Sequence, residues 1–218
     1  MLPYLLLLFI IAIFPAMIYR TRGVISARGY NYIVHKRNRM TIRLFFWGLF
    51  ILLALRDITV GKDLSVYEVI YRRCHVTSFE NLPNMQWEFG YTVYNKIVSI
   101  VVNDFRWFLI ITAAITLIPI YKLYSKENKY SFLLIVLFIN MPCFLMIFSG
   151  LRQAIAISIG IIVYMSLENK KYILSVLLIA LAISFHVSAF VLILLYPMFF
   201  FEIKTKHLLY IVPIMLIV

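Results

Sequence analysis

Acidic side chains are scarce in this chain: nine Asp and Glu stand against 21 Lys and Arg in 218 residues, and only 14% of the sequence is charged. Cysteine is scarcer still. Cys74 and Cys143 show neither a CxxC spacing nor neighbouring ligands, which speaks against a metal or redox motif, and no disulfide between them is expected. No Gly/Ser-rich linker, low-complexity stretch or internal repeat divides the chain, so residues 1–218 read as one domain. The apolar runs lack the residue-by-residue alternation of barrel strands, which excludes an outer-membrane barrel.

Hydrophobic residues fill the space that charge leaves, at 64% of the chain. The composition predicts an all-α fold: a polytopic helical integral membrane protein of about seven to eight transmembrane helices, with short interfacial helices in one outer loop. In such a protein the net charge of +12 marks cytoplasmic loops and is no nucleic-acid footprint, so position matters more than the total.

Residues 2–19 are apolar with no basic segment ahead of them, and Arg20 and Arg22 follow, a pattern that predicts an uncleaved span with the N-terminus outside. The segment 20–43 carries seven Lys and Arg and no acid, which predicts a cytoplasmic loop. Residues 41–56 then run outward. Six of the nine acidic residues fall within 57–104, the expected outer loop, where helices are expected over 64–74 and 88–102. The second is amphipathic: Phe89, Val93, Ile97 and Val101 share one face, and Glu88, Thr92, Asn95, Lys96, Ser99 and Asn103 another. It is expected in the interface plane, apolar side toward lipid or the bundle, with Trp87 and Trp107 as flanking belt aromatics.

Further spans are expected over 105–121, 131–148 and 151–167, with Lys122, Lys126, Lys129, Lys170 and Lys171 marking the inner turns. Residues 172–201 are too long for one untilted span at 1.5 Å per residue, and a hairpin hinged near Ser184-Phe185-His186 keeps both basic ends inside. The apolar run 208–218 is short of the about 20 residues a span needs, which suggests a truncated chain.

Loop counts of Lys and Arg alone therefore put Arg56, Asp63, Glu88, Arg152 and His186 on one external side. Ser149 is placed as the N-cap of the helix that carries Arg152 in its first turn, where the macrodipole disfavours a cation; free N–H groups, a hydroxyl and a guanidinium there suit a phosphate or diphosphate. The alternative is an arginine that snorkels or pairs with a loop carboxylate. Gln153 points about 100° around the helix from it. Arg56 is expected to compensate the end of its own helix, and Asp63 stands where a helix N-cap belongs. His186 is either a satisfied core histidine or a base for a sugar hydroxyl, provided that Asp63 or Glu88 orients it.

The pieces R-x4-G-x-D-x3-Y from Arg56 to Tyr67, Glu88-Phe89-Gly90-Tyr91, S-G-L-R-Q-A-I-A over 149–156 and S-F-H-V-S-A over 184–189 resemble the EpsG family of Wzy-type exopolysaccharide and capsule polymerases, in that order and spacing. Leu64 replaces the Thr expected after the Asp. The resemblance implies glycosyl transfer at the outer face of the bacterial cytoplasmic membrane, with undecaprenyl-diphosphate-linked oligosaccharide as substrate. It implies Arg152 and Arg56 on the leaving diphosphate, His186 or Asp63 as the base, and Glu88, Gln153 and Tyr67 as further substrate contacts, with Tyr67, Tyr91 and Trp87 as candidate sugar-stacking rings. Neither a metal nor another cofactor is expected, since no acidic cluster resembles a cage. Membrane lipids, a chain-length regulator and a flippase are the expected partners; nucleic acid is not. A lipid-linked oligosaccharide flippase and an intramembrane serine protease built on Ser149 and His186 are the rival classes.

Overall fold

A computed structural model describes residues 27–61, 63–126 and 130–200; the side chains of 27–34, 131–132 and 143 are not described. The expected first span at 2–19, Arg20 and Arg22, and the run at 208–218 lie outside the described residues. Among the described residues every element is helical and no strand occurs.

Helix α1, Ala27–Ala54, is 28 residues long and corrects the expected loop over 20–43. Lys36, Arg37 and Arg39 ride on its first half and Arg43 just past its middle. A basic segment without proline and rich in Arg and Lys is a good helix former, and a charge count does not separate a loop from a helix extension. Its buried stripe, Ile42, Phe45, Phe46, Leu49 and Leu53, follows helical spacing and packs with Leu117, Ile120, Phe138 and Phe144 in one core cluster.

The segment expected as an outer loop holds α2 (Leu64–Val76), a short 3-10 turn (Phe79–Asn84) and α3 (Phe89–Val101). On α3 the polar face turns inward: Thr92, Asn95 and Ser99 are each 0% exposed, whereas Phe89 is 56% and Val101 76% exposed. Burial is affordable because each polar side chain bonds its own helix, Thr92 to the Phe89 carbonyl, Asn95 to that of Tyr91 and Ser99 to that of Lys96. The same inner face carries Tyr91, which packs with Tyr67, Tyr71 and Phe108 in a second cluster.

Helix α4 (Phe105–Lys126) follows, and the Asp104 carboxylate accepts the Arg106 backbone N–H at its start. The expected single span over 131–148 is two helices, α5 (Ser131–Asn140) and α6 (Pro142–Ser149). Pro142 supplies the reason, since it lacks an N–H and forces Met141 to an extended ψ of 143°. Then come α7 (Leu151–Glu168) and α8 (Tyr172–Phe185); His186 is extended at φ −158° and ψ 120°, and a 3-10 helix (Val187–Leu194) and the short α9 (Leu195–Phe200) complete the described chain. The chain reverses at His186: Tyr196 comes back beside the start of α8, its hydroxyl 2.6 Å from Ser175 Oγ. Among the described residues, α4 and α7 are long and apolar enough to cross a membrane.

Candidate active site

Three chain segments meet at Glu88. It precedes α3, Arg152 and Gln153 stand in the first turn of α7, and His186 is the extended residue that ends α8. The Arg152 guanidinium donates from Nη1 to Glu88 Oε2, and His186 Nδ1 lies 3.0 Å from Glu88 Oε1. An ionised carboxylate only accepts, so Nδ1 carries the imidazole proton and Nε2 the lone pair. The Gln153 amide nitrogen, 3.2 Å away, donates to that lone pair. Two adjacent residues of α7 thus reach the two members of one Glu–His pair.

The carboxylate is largely shielded, with 15% of its side chain exposed against 27% for Arg152 and 20% for His186. Burial pushes the Glu88 carboxyl up, but hydrogen bonds from its own backbone, from Arg152 and from His186, together with the Arg152 charge, outweigh burial and hold it below the usual carboxylate value.

Close backbone contacts set this geometry. A Cβ on Gly90 would lie 2.8 Å from the Ser184 carbonyl oxygen and closer still to its hydroxyl, so the start of α3 seats against the end of α8 only because residue 90 is glycine. The glycine stands in the quoted E-F-G-Y piece, yet a contact with residue 184 has no signature in sequence. Gly150, not Ser149, precedes α7 as its cap residue, and a Cβ there would meet Gln153 Oε1 at 2.7 Å. Ser149 ends α6 instead, because the helix broken at Pro142 continues one residue further than expected.

Arg56 and Gly61 grip the turn before Arg152. Arg56 is buried and donates from Nη1 to the carbonyls of Ile147 at 3.2 Å and Phe148 at 2.8 Å, so it satisfies the end of α6 rather than the end of its own helix. Gly61 has φ +112°, and a Cβ there would lie 2.5 Å from the same Phe148 oxygen. Arg106 adds a 2.6 Å bond from Nη1 to the Arg56 carbonyl. The segment that begins with Arg56 is thereby a clamp on the α6–α7 turn.

The remaining expected residues fall elsewhere. Asp63 precedes α2, is exposed, makes no side-chain capping bond, and has no part in the Glu88 network. Tyr67 is buried, its ring edge-on to Tyr91 at 5.8 Å, with its hydroxyl beside the Arg152 guanidinium. Tyr91 is 0% exposed. Neither ring has a free face for a sugar, because both belong to the core cluster. The hydrogen-bond partners of the His186 ring are Glu88 and Gln153, and Ser149 makes no hydrogen bond to it, so the two form no hydrolytic dyad. Among the described residues no three His, Cys, Asp or Glu side chains gather as a metal-ligand set.

The model of the EpsG family matches residues 39–218. The chain belongs to the EpsG family. EpsG is related to the Wzy-like polymerases, and the match takes in every residue of the Glu88 network and of the Arg56 clamp. No curated protein and no solved structure matches this EpsG chain.

Proposed function

We propose that this EpsG-family protein is a polysaccharide polymerase of the cytoplasmic membrane, a glycosyltransferase joining undecaprenyl-diphosphate-linked oligosaccharide units at the outer face. In this reading the chain is multi-pass, with about seven to eight spans, its N-terminus outside and its Glu88 network at the external end. The exposed Phe89, Ile97, Trp107, Val176 and Leu177 then face lipid.

The bridge from Arg152 through Glu88 to His186 carries the proposal. An acceptor hydroxyl displaces the Gln153 amide from His186 Nε2 and gives up its proton there as its oxygen attacks the anomeric carbon of the donor. The bond from that carbon to the diphosphate oxygen breaks, and the diphosphate lipid leaves with the bonding pair. Glu88 holds the imidazole in the tautomer that leaves Nε2 free and stabilises the imidazolium; Arg152, with the Tyr67 hydroxyl beside it, meets the negative charge that develops on the leaving group. Arg56 and Gly61 fix the turn that aims Arg152, a positioning role. A chain-length regulator and a flippase are the protein partners this activity calls for.

Purified protein in liposomes with lipid-linked repeat units tests the reading. Polymer longer than one unit is the expected product, lost in His186→Ala. Transbilayer movement of the lipid-linked sugar with no glycosidic bond formed would replace the polymerase by a flippase.

A further inference from the structure

Between α1 and α4, below the Arg56 end, runs an apolar groove of about 300 Å³ lined by Arg43, Phe46, Trp47, Phe50, Leu117 and Tyr121 among others. It plays no part in the Glu88 network. At 1.5 Å per residue, Arg43 stands about 16 Å along α1 from Ala54, so the mouth of the groove and the proposed active site lie at different levels.

Among the described residues of α1 and α4 the charge at that mouth has one sign. Arg39 and Arg43 are exposed on α1, and Lys122, also exposed, stands one helical turn beyond the groove residue Ile118 on α4. Neither α1 nor α4 contains an acidic residue. Trp47 is 59% exposed beside them, an indole between a cationic rim and an apolar trough. Cations with no acidic partner among the described residues above a greasy slot, and an aromatic at the boundary, complement a molecule with an anionic head and a hydrocarbon tail.

We infer that this groove is a binding site for an anionic phospholipid, one acyl chain lying between Trp47, Phe50, Leu117 and Ile118, and the phosphate held by Arg43, Arg39 and Lys122. The inference rests on the membrane reading above, with this end of α1 toward the cytoplasmic leaflet, and not on the polymerase chemistry. The bound lipid seals α1 against α4, the two helices whose far ends carry Arg56 and its partner Arg106.

Native mass spectrometry of the purified full chain in detergent, titrated with phosphatidylglycerol or phosphatidylcholine, tests the site. Retention of phosphatidylglycerol over phosphatidylcholine is expected. It should weaken about fivefold for each of Arg39→Gln and Arg43→Gln, and Ala114→Phe, which fills the groove, should abolish it while helicity and elution volume stay unchanged. Equal retention of the two lipids, or undiminished phosphatidylglycerol binding by Ala114→Phe, overturns the assignment; the second result would leave the groove to another occupant such as the apolar run 2–19. Polymer formation is scored separately, so loss of either reading leaves the other standing.

Discussion

At the scale of single residues, Glu88 is the side chain on which the site depends, because it alone contacts both the cation and the imidazole. Its folded value lies below the ordinary 4.5, so its contribution to stability is complete above that pH and is lost as pH falls through the depressed value. Glu88→Gln should therefore melt below the wild type at pH 7, with the gap closing under acid conditions; a thermal midpoint measured against pH checks this. Arg152→Lys keeps the charge and loses the planar fork, and should slow polymer formation roughly a hundredfold. Full-length polymer at the wild-type rate from that variant removes Arg152 from the leaving-group role. Gly90→Ala and Gly150→Ala should separate. The first meets backbone at Ser184 and should cost about 1–3 kcal/mol in unfolding, whereas the second meets only the movable end of Gln153 and should leave the melting midpoint near the wild type. Burial, against an opposing effect of Lys96, pushes the Cys74 thiol up to about 11, and it is an inert core side chain.

At the scale of elements, α3 and the Arg56 clamp were legible to different degrees. The two faces of α3 follow from spacing, but spacing does not say which face is buried. The side chains decide it, because Thr92, Asn95 and Ser99 find carbonyls on their own helix while the opposite face carries Phe89, Ile97 and Val101 outward. Arg56 was readable as a cation at a helix end, not as the cap of a different helix, since the Ile147 and Phe148 carbonyls lie far along the chain. Arg56→Ala leaves those carbonyls unmet and should destabilise by about 1–3 kcal/mol. Hydrogen exchange should show the α6–α7 turn opening first, ahead of α4. The break at Pro142 was legible in principle, because proline restricts its predecessor wherever it stands.

At the scale of the whole molecule, sidedness is the property to test. The segment between α2 and α3, proposed to lie outside, carries exposed Asn81, and the α7–α8 turn, proposed to lie inside, carries exposed Asn169. With Cys143→Ser as background, Asn81→Cys in intact cells should react with an impermeant maleimide, and Asn169→Cys only after permeabilisation; labelling of both from outside contradicts the proposed topology. The helical class, the reversal near His186 and the short pieces that gather at the Glu88 network could be read from the order of residues, because hydropathy, helix breakers and residue chemistry are local quantities. That Glu88 rather than Asp63 orients His186, that Arg56 holds backbone at the α6–α7 turn, and that Tyr67 and Tyr91 are walled into the core emerge from the packed chain alone. Partner choice among distant side chains depends on how closely backbones approach, and Gly90 against Ser184 and Gly61 against Phe148 set that distance in a way that no periodicity records.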